Sequence, residues 1–320
     1  MYKNKIFITG GSGFIGAHLI KKLNKKKVSY YCISSNKYNL PRDFFYFDLK
    51  NINKNNSKFI IKLMKKCFCV VHLAGIAKDE NKISKELWSI NYHATISLIK
   101  LCKIAKVNKF INISSVRASG RTNICSDETS SFKPDGVYGE TKKKSEDFVY
   151  RYGVKNNINT VNLRLSNVYG SRSFGYVYKL SNFIKKFPYI SLPKIFNKRS
   201  FIHISDVINV IYKCIFSTTA NNEMFIITNN KPLSSSELFN VLLKHYGKNN
   251  FKIKFPFILL YSLFYLAKFF NYFNSNYFKD FIKFMSTEYY SSAKIKEIMN
   301  WEAKVDINSG IKEMKKNNII

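Results

Sequence analysis

Acidic side chains are scarce in this 320-residue chain: 20 Asp and Glu stand against 53 Lys and Arg, a formal net charge of +33. Arginine is scarce too, seven of those 53 bases, and the lysines come in dispersed twos and threes such as Lys21-Lys22, Lys25 to Lys27 and Lys142 to Lys144. Specific nucleic-acid recognition favours arginine gathered in one stripe, because its planar fork reads bases and phosphates bidentately. Dispersed lysine reads as solvated helix surface, so no specific nucleic acid is expected. The charge does suit a polyanionic small molecule. No run of 18 apolar residues occurs, and the longest candidate, Phe255 to Ala267, ends at Lys268, too short to span a bilayer. The first apolar run, Ile6-Phe7-Ile8, leads into glycines rather than a cleavage site, so the chain reads as cytoplasmic. Six cysteines (Cys32, Cys67, Cys69, Cys102, Cys125, Cys214) are scattered. The lone C-x-C at Cys67 and Cys69 has no second pair at zinc-ligand spacing, so no metal is expected and the thiols read as reduced and structural. At 46% hydrophobic and 23% charged, the composition excludes a disordered or collagen-like chain and allows one large domain or two modest ones.

What is present is an alternation of strand and helix patterns. Strands are expected at Lys5 to Thr9, Val28 to Ser34, Val70 to Ala74, Lys109 to Ser114 and Thr160 to Leu165. Helical patterns fall at Phe14 to Leu23, Lys58 to Lys66, Leu87 to Ala105 and Val137 to Asn156. Such alternation implies an α/β fold, a doubly wound parallel sheet covered on both faces. The expected division is 1–165 for this unit and 166–320 for a second, smaller lobe, interleaved with the sheet and folded onto it. The segment Phe251 to Phe284 is dense in Phe and Tyr. Pro256 to Phe270 fits a buried helix that packs the lobe. Its aromatics and flanking lysines also fit an interfacial helix, so a weak membrane-surface association stays open.

Thr9-Gly10-Gly11-Ser12-Gly13-Phe14-Ile15-Gly16 follows the first strand and opens a helix. Glycines at 10, 13 and 16 let the backbone reach a pyrophosphate, whose charge then sits on the helix N-terminus, with Gly16 allowing helix to pack closely on sheet. A dinucleotide is therefore expected against Gly10, Gly13, Phe14, Ile15 and Gly16. The end of strand two reads Cys32-Ile33-Ser34-Ser35-Asn36-Lys37, with neither the acid that marks NAD nor a base in the usual place for NADP. Ser34 or Ser35 suits a ribose hydroxyl and Lys37 a 2′-phosphate, so the choice stays open.

Tyr138-Gly139-Glu140-Thr141-Lys142 sets Tyr and Lys four apart, on one face of an expected helix. A free phenol, with a pKa near ~10, is too weakly ionised to serve as a base at neutral pH. A neighbouring ammonium favours phenolate and brings it toward working pH. Upstream, Ser114 and Ser115 end a strand whose hydroxyls can face the same crevice.

With the glycine turn, the strand-terminal serines and Y-x-x-x-K in this order, the chain resembles the extended short-chain dehydrogenase/reductases of the NAD-dependent epimerase/dehydratase family, most of which act on nucleotide sugars. The resemblance runs nearly the whole length and implies a Rossmann sheet with a smaller C-terminal substrate-binding lobe. Ser115, Tyr138 and Lys142 are then catalytic, with Tyr138, Lys142 and Ser114 also touching the cofactor, for which the resemblance implies NAD while NADP stays open. Phe47-Asp48-Leu49 resembles the segment that holds the adenine amine, and His72-Leu73-Ala74-Gly75 the strand end passing under the cofactor. Leu163 to Gly170 resembles the approach to the sugar-nucleotide site, with Asn167 on the diphosphate. Arg199 to Val207 resembles the R-x-x-I-H-V-x-D signature, with Arg199 on substrate phosphate, His203 a strand histidine and Asp206 a helix cap. Ser292-Ala293-Lys294 and Asn300-Trp301 resemble the closing element; Tyr289 and Tyr290 before it border the expected sugar pocket.

Within the family, 4,6-dehydratases follow the serine matching Ser115 with Asp-Glu, whereas Val116 and Arg117 stand here. Ile113 to Gly120 instead resembles the S-S-x-K-x-N-G form of 4-epimerases from polysaccharide and O-antigen clusters, with Arg117 for its lysine and Ser119 for its asparagine. The resemblance thus implies a UDP-glucose or UDP-N-acetylhexosamine 4-epimerase working through a 4-keto sugar, as a homodimer. A keto-sugar or other carbonyl reductase shares the same three residues. Non-catalytic relatives that bind RNA or scaffold a complex usually lose the tyrosine or lysine, and both are intact here.

Overall fold

The computed structural model describes residues 4–35, 43–77, 84–121, 123–130, 132–173, 175–187, 190–191, 193–246, 253–254, 262 and 284–316. β1 (Lys5–Thr9) leads into α1 (Phe14–Lys25), β2 (Tyr30–Ser34) and β3 (Phe44–Tyr46). Then come α2 (Lys54–Met64), β4 (Cys67–His72), α3 (Ser84–Leu87), a π-helical stretch at Trp88–Ala94, α4 (Thr95–Ile104) and β5 (Lys109–Ser115). β6 (Cys125–Ser126), α5 (Gly136–Lys155), β7 (Asn159–Leu165), β8 (Asn167–Tyr169), α6 (Tyr176–Lys186) and β9 (Ile190–Ser191) follow. The C-terminal part adds β10 (Phe201–His203), α7 (Ile204–Phe216), β11 (Glu223–Ile227), α8 (Ser235–His245), β12 (Ile253–Lys254), β13 (Tyr289–Tyr290), α9 (Ala293–Met299) and α10 (Ile307–Lys316).

Seven strands form one parallel sheet in the order β11-β7-β5-β4-β1-β2-β3. The order reverses between β1 and β4, so the loops leaving their carboxyl ends diverge and open a crevice. Three parallel two-stranded pairs, β10 with β8, β12 with β9 and β13 with β6, lie outside this sheet. Successive residues of β1 feed opposite cores. Ile6 and Ile8 pack with Leu19, Val210 and Ile211, while Phe7 packs with Ile60, Leu98 and Phe110. Each such side chain taken from water contributes roughly 1.5–3 kcal/mol. A third cluster, including Tyr169, Leu180, Phe239, Leu242 and Ile311, gathers α6, α8 and α10 into the second lobe.

The departures from the expected elements have local causes. α2 starts at Lys54 rather than Lys58 because Asn53 and Asn56 cap its first turn reciprocally, each side chain accepting from the other's backbone N–H. β3 is three residues long, too short for a periodic pattern to register. β4 begins at Cys67 rather than Val70, and its register against β1 slips by one residue, Lys5 facing Cys67 but Ile6 facing Cys69. That bulge sends the two cysteines to opposite cores, although residues two apart in a regular strand share a face. None of the six cysteines is in a disulfide, and only Cys125 is exposed. Asp206 is not the cap of α7. His203 fills that position, while the buried Asp206 carboxylate accepts from the N–H groups of Lys304 and Val305 at 3.1 and 2.9 Å. The helix expected at Pro256 to Phe270, Ser262 apart, lies outside the described residues, as does Lys37. Among the described residues no helix is long and apolar enough to cross a membrane.

Candidate active site

The turn after β1 is shaped by what would collide there. Gly10 sits at φ +72°, and a Cβ on it would stand 2.6 Å from the Ala74 backbone nitrogen; a Cβ on Gly16 would overlap the Gly10 carbonyl oxygen. Gly13 caps α1, and among the described residues no side chain caps its first turn. The N–H groups of Phe14, Ile15 and Gly16 and the positive end of the helix dipole are thus left for an anion. Leu73 and Ala74 are drawn to this turn by Thr9, whose carbonyl and hydroxyl accept from their N–H groups, each at 3.2 Å. The hydroxyls of Ser12 and Ser34, 2.9 Å apart, tie the turn to the end of β2. Asp48 accepts from Lys50 N–H at 3.0 Å and Asn51 Nδ2 at 3.2 Å, capping the short helix Leu49–Asn51. A glycine cradle, a helix end without a side-chain cap and a carboxylate beyond β3 fit a dinucleotide.

His72 stays beneath this crevice. Thr95 gives its hydroxyl proton to the Asn91 carbonyl, so the 2.9 Å contact from His72 Nε2 to Thr95 Oγ1 requires the proton on Nε2. Nδ1 then accepts from the Thr9 hydroxyl at 2.7 Å. Burial, with the nearby Lys142 ammonium, pushes the imidazole down to about 3, so it is neutral and structural.

Ser115 closes β5, and its Oγ accepts from Arg117 N–H at 3.3 Å, capping the 3-10 turn Val116–Ser119. The neighbouring Ser114 hydroxyl is buried without a hydrogen-bond partner among the described residues, the kind of group a ligand satisfies. α5 presents Tyr138 and Lys142 one turn apart, and Lys142 Nζ donates to the Ile113 carbonyl at 2.9 Å, fixing the helix to the end of β5. Burial pushes the Lys142 ammonium down to about 8, against the opposing pull of Glu146. A Cβ on Gly75 would stand 3.2 Å from that Nζ, so the loop after β4 borders the same point. The Tyr138 ring is 8% exposed and lies 5.3 Å from the Arg117 guanidinium carbon. Ser115, Tyr138 and Lys142 thus converge at the carboxyl edge of the sheet, beside the glycine turn.

Asn167 and Arg199, both expected on the substrate diphosphate, are joined here by charges the sequence did not single out. Asn167 Nδ2 donates to the Ser200 carbonyl at 3.0 Å. Its neighbour Arg199, 4% exposed, is paired with Glu288 and lies 4.7 Å from the Tyr176 ring. Arg121 reaches the same Glu288 at 3.5 Å and Asp135 at 2.8 Å, and Asp135 holds Arg117 at 2.5 Å. Five alternating charges therefore run from Arg199 to the Tyr138 ring. Tyr290 is buried, its hydroxyl donating to the Gly120 carbonyl at 3.2 Å. Asn91, also missed, closes the loop after β4: Oδ1 accepts from Ile76 N–H at 2.9 Å and Nδ2 donates to the Ile76 carbonyl at 3.0 Å. Its only trace in the sequence was one amide inside the helical pattern of Leu87 to Ala105; Arg121, Asp135 and Glu288 left none, being charges far apart along the chain.

Residues 6–227 match the NAD dependent epimerase/dehydratase family. The UDP-glucose 4-epimerase of Vibrio cholerae is 27% identical over 270 residues, covering 81% of this chain and 80% of that protein. The dTDP-D-glucose 4,6-dehydratase of Homo sapiens is 29% identical over 192 residues, 54% of this chain and 53% of that one. The fold is shared with a UDP-glucose 4-epimerase from Thermotoga maritima solved with UDP-glucose, at a TM-score of 0.77 and 19% identity over 98% of this chain and 99% of that chain.

Proposed function

The chain belongs to the NAD dependent epimerase/dehydratase family, and we propose that it is a nucleotide-sugar 4-epimerase, inverting C4 of a UDP-hexose or UDP-N-acetylhexosamine. The supporting observation is the convergence of Ser115, Tyr138 and Lys142 beside the glycine cradle, with Val116 and Arg117 after the serine. Val116 is buried and the Arg117 guanidinium is tied to Asp135. Neither offers the acid or the base that dehydration needs, although dehydratases are among the relatives.

The cofactor assigned to the cradle of Gly10, Gly13, Phe14, Ile15 and Gly16, with Asp48, Leu49, Leu73, Ala74 and Ser114 around it, is NAD. Held there, it would supply hydride-transfer chemistry at the sugar carbon. Tyr138 as phenolate takes the proton of the C4 hydroxyl. Ser115 hydrogen-bonds the same oxygen and orients it. Lys142, as a cation, favours the phenolate and holds the nicotinamide ribose. Asn167 and Arg199 hold the diphosphate while the keto sugar turns over; with five N–H donors, Arg199 can serve Glu288 and a phosphate together. Residues 1–165 carry the cofactor and 166–320 most of the sugar nucleotide.

The test uses purified protein with no cofactor added. Denaturation should release near-stoichiometric NAD, and incubation with UDP-glucose, UDP-galactose and their N-acetyl forms should interconvert one C4 pair without consuming added dinucleotide. Stoichiometric NAD(P)H oxidation by a keto sugar, with no interconversion, would overturn the epimerase in favour of a reductase. Light scattering on the same preparation checks the proposed homodimer.

A further inference from the structure

A second cation besides Lys142 stands at Tyr138, and it is anchored twice. The Arg117 side chain reaches Asp135 at 2.5 Å, and Arg121 holds the same carboxylate at 2.8 Å. Burial works to raise the Asp135 carboxyl, but Arg117 and then Arg121 outweigh it and hold the group below the usual range, so it is ionised. The backbone repeats the attachment: Asp135 N–H donates to the Arg117 carbonyl at 2.9 Å. Gly139 makes the approach possible, since a Cβ there would overlap that carbonyl oxygen. Asp135 directly precedes α5 and Gly139 directly follows Tyr138. The turn after β5 is thus clamped to the stretch of α5 that carries the phenol, while Arg117 N–H donates to Ser115.

We propose that Arg117 is a positioning residue for Tyr138, fixing its ring against Ser115 and sharing with Lys142 the task of favouring the phenolate. The inference rests on the reading of Tyr138 as the base. The charged groups around the phenol are Lys142 and Glu146 on α5, Asp135 before it, and Arg117 with Arg121 on the segment after β5. His72 from β4 is neutral, and Glu140 pairs with Lys144 at 3.7 Å. A guanidinium 5.3 Å from the ring centroid favours the anionic form, so its removal raises the phenol's pKa.

The experiment is an ultraviolet difference titration of the NAD-loaded protein without substrate, wild type and variants each compared with Tyr138→Phe. Arg117→Met should raise the Tyr138 midpoint by about one unit, and the acid limb of kcat/KM should move the same way. Arg117→Lys, which restores the charge, should recover most of the shift. Arg117→Gln keeps a hydrogen-bond donor for Asp135, guards against a folding failure, and should show the same rise as the methionine. Equal midpoints in wild type, Arg117→Met and Arg117→Gln overturn the proposal, as does a fall in rate at every pH with no movement of the limb. No sugar enters the titration, so a missing C4 interconversion sinks the epimerase reading and leaves this inference standing.

Discussion

Lys142 is subject to two opposed demands. The role proposed for it requires a cation beside the phenol, yet its burial favours the neutral amine and lowers its pKa from 10.5 to about 8. Activity should therefore fall as pH rises through about 8, even though alkali favours the phenolate, and a kcat/KM profile against pH checks this. The same group makes a stability prediction with a definite sign. Between about pH 8 and 10.5 the unfolded chain still holds the proton that the folded chain has released, so stability rises with pH across that window, by up to about 3 kcal/mol. Lys142→Met should lose this rise in denaturant midpoints, together with about 10²- to 10⁴-fold in kcat. Tyr138 and Lys142 were legible because a four-residue spacing needs only a helix to bring them together. Asn91 and Glu288 were not, because their partners, the loop after β4 and Arg199, are brought to them only by the finished fold.

Between elements, the buried pair of Arg164 on β7 and Glu146 on α5 binds the sheet to the helix that carries Tyr138 and Lys142. Both side chains are 3% exposed, the closest contact is 2.7 Å, and a further guanidinium N–H donates to Ser119 at 2.8 Å. One ion pair thus ties together β7, α5 and the turn after Ser115. Breaking it leaves an uncompensated charge in the interior. Arg164→Met is expected to cost about 3–5 kcal/mol in chemical denaturation, and the double change Arg164→Met with Glu146→Met less than the sum of the two single changes. Additive losses would show that the two residues act independently. The sequence marked Leu163-Arg164-Leu165 as the end of a strand, resembling the approach to a sugar-nucleotide site, and could not show that its arginine points at α5. The helices and inner strands were legible from periodicity; the π-helical stretch before α4 and the slip in β4 were not, since seven residues of wider turn and a single slipped residue each sit inside an otherwise regular pattern.

For the whole molecule, a net charge of +33 surrounds a site proposed to bind a diphosphate. Screening by salt shortens the reach of that field to roughly 8 Å at physiological ionic strength. The KM for a UDP-sugar should therefore rise between low and physiological salt while kcat changes little, as initial rates at a series of salt concentrations will show; a KM indifferent to salt would mean that the lysines act only as solvated surface. Composition made this charge plain, and the alternation of strands and helices made the sheet plain. The sheet's last member was not legible. β11 enters from residues 223–227 and pairs with β7 beyond Leu165, where the first half of the chain was expected to end. During synthesis Glu223 follows Leu165 by 58 residues, so at about 5–20 residues per second the outer side of β7 waits some 3 to 12 seconds for its neighbour. A nascent chain with a bare strand edge is exposed to pairing with another chain on the same polysome. Asn162 and Arg164, set among the apolar residues of β7, make that edge a poor template for such pairing until β11 arrives.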